Sequence, residues 1–268
     1  MSTSLSTPTP RPTTEVARSV RRRGAAAAVR WLCRSGALVA VWFWGIYALY
    51  AVGIAVGNAA AGNDLEVSAL DATLGAQRWA VVWLGIAGVS VLLALHVSAG
   101  ADRRSLIAGM VRAALLLGGA YGVVTTLALL GERLLSTSLG MSWRRLGGLP
   151  FESPLDVLGT AVAEGLVVTT YILAGAGVGA AFVRGRTWGL TLLVPLALPA
   201  ALVDLASRTG VLGAIANVEL RPDIEHAEVP SAEGLTALLT GVGGAALAAL
   251  LAGVALHLLL RSAPVRPR

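Results

Sequence analysis

The sequence predicts an all-α, polytopic membrane protein with six transmembrane helices, and three observations carry that prediction. Of the 268 residues, 56% are hydrophobic and only 13% are charged, whereas water-soluble domains carry about 25% charged residues. The mean hydropathy is +0.74. Six separate apolar runs are each long enough to cross a hydrocarbon core of about 30 Å, which takes about 20 helical residues. These features exclude a soluble enzyme, a disordered chain and a disulfide-stabilised domain.

The segments are assigned in chain order. Residues 1–14 are rich in Ser, Thr and Pro and predict a disordered cytoplasmic tail. Residues 15–34 combine six arginines with an apolar stripe (Val16, Val20, Ala27 and Trp31), which predicts an amphipathic basic helix at the membrane interface. The transmembrane domain covers 35–261, with spans at about 37–57, 79–99, 106–130, 155–183, 188–207 and 235–260, and a cytoplasmic tail at 262–268. The runs are continuously apolar rather than alternating, so they predict helices and not a barrel.

The distribution of arginine predicts the orientation in the membrane. The chain has 21 arginines and no lysine. If both termini are cytoplasmic, the inner segments carry 15 arginines and the outer segments six, and 11 of the 15 acidic residues fall outside. Basic residues favour the cytoplasmic side. We therefore predict cytoplasmic termini in the cell (inner) membrane, with anionic membrane lipids as partners. Nucleic acid is excluded because no soluble basic domain is present to hold a duplex.

The sequence offers no catalytic residue, no metal site and no cofactor site. Its single cysteine, Cys33, can form no internal disulfide, and its three histidines match no recognised metal-binding spacing. No phosphate-binding loop, nucleophile elbow or zinc-binding helix motif is present. We therefore predict that the chain is not an enzyme, and an intramembrane enzyme is the least favoured alternative.

Two acidic residues and two prolines fall inside apolar runs. Glu164 lies in the fourth run, where a charged side chain is costly and suggests function by default; the alternative is a structural pair with Arg or Thr of another helix. Asp204 lies near the outer end of the fifth run, four residues before Arg208, a spacing that predicts a structural pair. Pro195 and Pro199 in the same run each remove a backbone hydrogen bond, which predicts a helix kink.

Two pairs of glycines have the spacing that allows close helix packing. Gly53 and Gly57 lie four residues apart in the first run, and Gly175 and Gly179 lie four apart in the fourth. Small residues at this spacing let two membrane helices approach closely. Both pairs therefore predict packing contacts.

The most informative short stretch is the bend between the second and third runs. It turns in the cytoplasm at a glycine, an aspartate and two arginines, and we place Ser105 as the cap of the third helix. A short polar bend of this kind is a surface on which a cytosolic partner can act. The alternative is anchoring by arginines that follow the positive-inside rule, with no partner. The residues of the bend are Gly100, Asp102, Arg103, Arg104 and Ser105.

The pattern Gly-x-x-Arg-Arg-Ser at this bend resembles that of six-span ABC-type export permeases, in which the equivalent bend lies against the ATPase subunit. The plan is also similar: an amphipathic N-terminal helix, six spans, cytoplasmic termini and an outer segment before the last span. Trp42-Phe43-Trp44-Gly45 and Phe151-Glu152-Ser153-Pro154 resemble stretches of actinobacterial membrane proteins labelled ABC transporter permease. The resemblance implies a separate ATP-binding subunit, a homo- or heterodimer of permeases, and coupling to the ATPase through residues 100–105.

Three functions stay open at this point. The leading one is the membrane-spanning permease subunit of an ABC-type exporter, with spans one, two and five lining the path. The second is a non-transporting membrane scaffold or accessory subunit, whose arginine face binds lipid. The third is a proton-linked carrier that uses Glu164.

Overall fold

The computed structural model contains six helices and no strand in the residues that it describes. These residues are 14–61, 68–145, 151, 153–218 and 235–261, with the backbone alone for 204–218 and 235–240. The helices are α1 (Thr14–Ala61), α2 (Ala69–Ser98), α3 (Arg103–Ser138), α4 (Pro154–Arg184), α5 (Arg186–Val218) and α6 (Leu235–Arg261). Each contains a stretch long and apolar enough to cross a membrane. The all-α class with six spans is thus confirmed, and the protein is a multi-pass membrane protein.

The predicted terminal tails fall almost entirely on residues whose structure is not described. Of the tail at 1–14 only Thr14, the first residue of a helix, lies within the described ranges, and the tail at 262–268 lies outside them. The outer segment before the last span, at 219–234, also lies outside them. The described residues between the helices are those at 68, 99–102, 139–145, 151, 153 and 185.

The fourth helix is the centre of the bundle. It contacts α2, α3, α5 and α6, and every residue from Val167 to Ala181 is buried. The first helix packs on α2 and α3, whereas α5 packs on α4 and α6. Within the described residues α5 therefore touches neither α1 nor α2, because α4 lies between them. Spans one, two and five therefore share no common packing surface within one copy of the chain, and the path that they are expected to line stays a prediction.

Glycines let α4 and α2 approach each other at backbone distance. A Cβ atom added at Gly175 would collide with the carbonyl oxygen of Val82 on α2. One added at Gly179 would lie 2.8 Å from the carbonyl oxygen of Ile86, one turn further along the same helix. Close backbone approach of this kind is the usual role of small residues in membrane helices. The packing role predicted for the Gly175 and Gly179 pair is confirmed.

A second glycine seam joins α4 to α3, but the other predicted pair packs on nothing in the described structure. Gly118 and Gly122 of α3 face Gly165 of α4, where an added Cβ would meet backbone atoms. By contrast, nothing lies within 4 Å of a Cβ added at Gly53 or Gly57 of α1. The same spacing in the sequence therefore marks a contact in one helix and an open face in another.

The first helix is continuous through the segment predicted as an interfacial helix and the first span. Ala25, Ala28 and Leu32 are buried, and a Cβ at Gly109 of α3 would touch Ala25 and Ala28. Of the predicted apolar stripe, Val16, Val20 and Ala27 are exposed, whereas Trp31 packs against the buried core. The N-terminal half of α1 therefore packs along α3 through a different stripe of small residues, about one helical turn apart.

The second helix begins ten residues before the predicted start of its span at Trp79. Ser68 is the N-cap, and its hydroxyl accepts a hydrogen bond from the Asp71 amide at 3.2 Å. A hydropathy pattern assigns Asp71 and Arg78 to a loop because they are charged. In the fold both are buried inside the helix, so the prediction that Arg78 belongs to an outer connection is wrong.

Candidate functional site

The two ends of the bundle, the basic end and the opposite end, differ in their elements and contacts. The basic end holds the start of α1, the α2–α3 turn, the α4–α5 turn and the end of α6. Hydrogen bonds and close contacts join these elements, as described below. The opposite end holds the start of α2, the end of α3 and the start of α4, which Glu132 and Arg145 join.

The α2–α3 turn at the basic end is short and sharply defined. Gly100 has a φ of 73°, a left-handed conformation that favours glycine. Asp102, with φ −83° and ψ 155°, is the N-cap of α3 and accepts a hydrogen bond from the Ser105 amide at 2.9 Å. The prediction that Ser105 caps the helix is wrong. Ser105 lies in the first turn, and its hydroxyl donates to the Asp102 carbonyl at 2.6 Å.

The turn is joined to the first helix by an ion pair and by close packing. The Arg21 Nε atom lies 2.7 Å from a carboxylate oxygen of Asp102. One turn later, a Cβ at Gly24 would lie 2.9 Å from the Ser105 hydroxyl and 3.0 Å from the His96 ring. The turn is therefore in direct contact with the basic half of α1.

The turn is also joined to the last helix. Arg103 donates through Nη1 to the carbonyl oxygen of Arg261 at 3.3 Å, and Arg184 at the end of α4 donates to the carbonyl of Leu259 at 2.9 Å. Both carbonyls belong to the last turn of α6, where cations are favoured by the helix dipole. Gly100 and Arg104 are exposed. The turn thus combines an exposed surface with contacts to α1 and α6.

Glu164, the predicted intramembrane acid, forms a buried ion pair with Arg78 of α2. The Arg78 Nη2 atom donates to both carboxylate oxygens, at 3.1 and 3.4 Å. The side chains are only 9% and 2% exposed. Arg78 lies nine residues into α2 and Glu164 ten residues into α4, so each lies about 14–15 Å from its helix start. This is the structural pair that the sequence left open as the alternative to a functional acid.

A second buried ion pair lies closer to the opposite end. Arg145 donates through Nε and Nη2 to the two carboxylate oxygens of Asp71, each at 3.2 Å. Its Nη1 atom lies 3.5 Å from the Thr160 hydroxyl, and its guanidinium lies 5.2 Å from the ring centre of Phe151. The bidentate geometry fixes the arginine between α2 and α4. The guanidinium of Arg145, which Asp71 of α2 neutralises, thereby holds the segment after α3 against the bundle.

After Arg78 and Arg145, Glu132 is a third residue whose role the sequence analysis did not predict. It lies near the end of α3, and its carboxylate accepts hydrogen bonds from the Ala69 amide at 2.6 Å, the Leu70 amide at 3.4 Å and the Ser68 hydroxyl. The first amides of a helix have no partner within the helix, and the positive end of the helix dipole favours an anion. Glu132 therefore supplies the anion that completes the start of α2.

The remaining predicted polar and kink residues receive only partial descriptions. Asp204 and Arg208 lie on α5, among residues whose side chains are outside the described part of the structure. Pro195 and Pro199 both lie inside α5, which continues as one helix through them. In the described ranges, no three His, Cys, Asp or Glu side chains gather in a group that could hold a metal ion.

The chemistry of the two ends follows from these contacts. The buried pairs at the opposite end have their charges balanced at hydrogen-bond distance, which lowers the cost of holding charge in an apolar interior. The basic end presents arginines on its surface.

Comparison with models of protein families found no match, and neither the curated proteins nor the solved structures gave one.

Proposed function

We propose that this chain is the membrane-spanning permease subunit of an ABC-type exporter, acting with a separate ATP-binding subunit in the cell (inner) membrane. The basic end faces the cytosol, and the α2–α3 turn receives the movement of the ATPase. Two such permease subunits, identical or different, form the transporter. The resemblance at the bend implies both this pairing of permease subunits and the ATP-binding partner.

One observation carries the proposal: the turn at 99–102 is exposed yet mechanically joined to its surroundings. It directly continues α2 and α3, Asp102 contacts Arg21 of α1 at 2.7 Å, and Arg103 contacts the end of α6 at 3.3 Å. Four helices therefore meet at one short cytosolic bend. A force applied there is transmitted as a rigid displacement, because the connection is too short to absorb it as a flexible loop would.

The buried pair of Arg78 and Glu164 favours this proposal over a proton-linked carrier. A carrier acid must exchange protons with water during its cycle. Glu164 instead has both carboxylate oxygens in contact with Arg78 and is 7% exposed as a whole residue. Replacing Glu164 by Gln separates the two functions, because a carrier loses its pH-dependent transport, whereas the exporter keeps ATP-dependent transport if the bundle folds.

The proposal is tested by photo-crosslinking at matched positions on the two ends. Ala99 and Leu139 are the C-cap residues of α2 and α3, and both are exposed. A photoreactive amino acid at Ala99 is expected to capture an ATP-binding subunit in cells of the source organism, identified by mass spectrometry. The same amino acid at Leu139 is expected to capture none.

Two outcomes contradict the exporter assignment. One is that the Ala99 crosslinker captures no ATP-binding protein and the purified chain brings none with it. The other is that both positions capture the same protein equally, which would mean that the contact is not specific to the turn. Either result would favour the scaffold or accessory function.

A further inference from the structure

A long apolar groove runs along the outside of the bundle between α3 and α6. Its volume is about 490 Å³, within the range of small-molecule binding sites. Leu166 and Leu173 of the central helix line its floor. Thr169 also lines it, but its hydroxyl donates to the carbonyls of Ala114 and Gly165 at 3.1 and 2.8 Å. With that hydroxyl engaged inside the bundle, the ring of His257 at one end is the polar group left on the lining.

The groove has the length of one bilayer leaflet. Along α6 its lining runs from Ala246 to His257, which is about 16 Å of helix. Half of a hydrocarbon core is about 15 Å. His257 lies at the basic end, four residues before the end of α6 at Arg261. The groove therefore extends from the basic end to about the middle of the membrane, at the depth of the acyl chains of that leaflet.

Two arginines, Arg104 and Arg261, lie at the basic end of the groove, on the helix faces that line it. On α3, Arg104 precedes the lining residues Ile107 and Val111 by three and seven positions, so it lies on the same face of the helix. On α6, Arg261 follows His257 by four positions, again on the groove face. The Arg103 hydrogen bond to the Arg261 carbonyl holds the two helix ends together at this point.

We propose that this groove binds one acyl chain of an anionic phospholipid from the leaflet at the basic end, with the phosphate held by Arg104 and Arg261. The apolar lining matches the chain, and the two cations match the headgroup. A second copy of this chain fits less well, since copies in one membrane share an orientation. Its arginines would meet Arg104 and Arg261 at the same depth and repel them. This inference goes beyond the transport function and does not depend on it.

The test measures lipid binding to the isolated chain by native mass spectrometry. Delipidated protein in detergent is titrated with phosphatidylglycerol or with phosphatidylcholine of the same chains. One phosphatidylglycerol is expected to remain bound, with affinity about tenfold or more above that of phosphatidylcholine, because each arginine near the headgroup favours an anionic lipid. Because no ATPase is present, the result is independent of the exporter assignment.

Two pairs of variants separate the groove from the rest of the surface. Gly253 lines the groove, and a Cβ there meets only Leu173, at 3.8 Å, so Gly253→Trp fills the groove and is expected to abolish the bound lipid. Gly45→Trp is the control, since Gly45 of α1 is exposed and an added Cβ there meets nothing within 4 Å. Arg104→Gln with Arg261→Gln is expected to remove the preference for phosphatidylglycerol. Arg30→Gln is its control, because Arg30 is exposed on α1, a helix that does not line the groove.

Several results would overturn the proposal. These are equal binding of the two lipids by the unmodified chain, retention of phosphatidylglycerol by Gly253→Trp, or a dimer that Gly253→Trp dissociates. If Gly253→Trp does not elute as a monodisperse protein, the double arginine variant decides alone. An unchanged lipid preference in that variant then counts against the proposal.

Discussion

The two ends of the bundle use arginine in opposite ways. At the basic end, Arg21 and Asp102 pair with side chains 57% and 33% exposed. Towards the opposite end, Arg78 and Glu164 pair with side chains 2% and 9% exposed. An exposed pair contributes about 0–1 kcal/mol, whereas breaking a buried pair costs about 3–5 kcal/mol. The comparison teaches that stability depends on keeping the buried charges paired, while the exposed charges are available for orientation and binding.

The largest effect is expected from Glu164→Ala, which removes the carboxylate that faces Arg78 in the bundle. We expect the free energy of unfolding to fall by about 3–5 kcal/mol, measured by titrating detergent-solubilised protein with SDS and following circular dichroism. The double variant Arg78→Met with Glu164→Met removes both charges at similar volume and is expected to recover most of the loss. A single variant within about 1 kcal/mol of the unmodified protein would contradict the structural role of the pair.

A smaller effect is expected at the glycine seam between α2 and α4. Gly175→Ala places a methyl group against the Val82 carbonyl and is expected to destabilise the protein by about 1–3 kcal/mol. Gly53→Ala is the matched control, because nothing lies near its added Cβ. It is expected to be neutral or slightly stabilising, since alanine favours a helix. Equal effects in the same SDS titration would mean that α4 is not packed on α2 at backbone distance.

At the basic end, Asp102→Ala is expected to cost about 1–2 kcal/mol, because it removes the cap of α3 and the partially exposed pair with Arg21. Asp102→Asn keeps a capping oxygen and loses only the charge, so it should cost less than about 1 kcal/mol. Thermal unfolding in detergent distinguishes the two variants. A loss as large as that of Glu164→Ala would erase the contrast between the ends.

The smallest effect on stability, about 0.5 kcal/mol or less, is expected from Arg103→Ala combined with Arg104→Ala. If the chain is the proposed permease subunit, the same double variant should weaken the stimulation of its ATP-binding partner while membrane insertion stays normal. The stimulation is measured as ATP hydrolysis by the co-purified complex. Arg112→Ala, an arginine of α3 outside the turn, is the control and should leave hydrolysis unchanged. Unaltered stimulation in the double variant would argue against coupling through the turn.

The sequence predicts the helices because a segment that crosses the membrane must be apolar over about 20 residues. Six apolar runs correspond to six helices. The predicted bend at 100–105 overlaps the turn at 99–102, whereas Arg103, Arg104 and Ser105 belong to the first turn of α3. The start of α2 was missed, since a hydropathy pattern cannot distinguish a charge in a loop from one neutralised inside the bundle. Arg78 and Asp71 are both of the second kind.

The partners of the buried charges could not be predicted from the sequence, because the paired residues lie far apart in the chain. Arg78 and Glu164 are 86 residues apart, and Glu132 lies 63 residues from the Ala69 amide to which it binds. One local signal was present: Arg78 and Glu164 lie at similar distances from the starts of parallel helices. It becomes informative only when Ser68 and Ser153 are recognised as N-caps. The choice between the two glycine pairs likewise depends on which helix lies opposite, which spacing alone does not specify.

The most direct test of this account is the side of the membrane on which each end lies. Ser98 and Ser138 are the last residues of α2 and α3, both exposed, and each can be replaced by Cys with little change in shape after Cys33→Ala removes the single native cysteine. A membrane-impermeant maleimide applied to intact cells should label Ser138→Cys, whereas Ser98→Cys should react only after permeabilisation. Labelling of Ser98→Cys in intact cells, or of both variants from one side, would contradict a cytosolic basic end and a third helix that crosses the membrane.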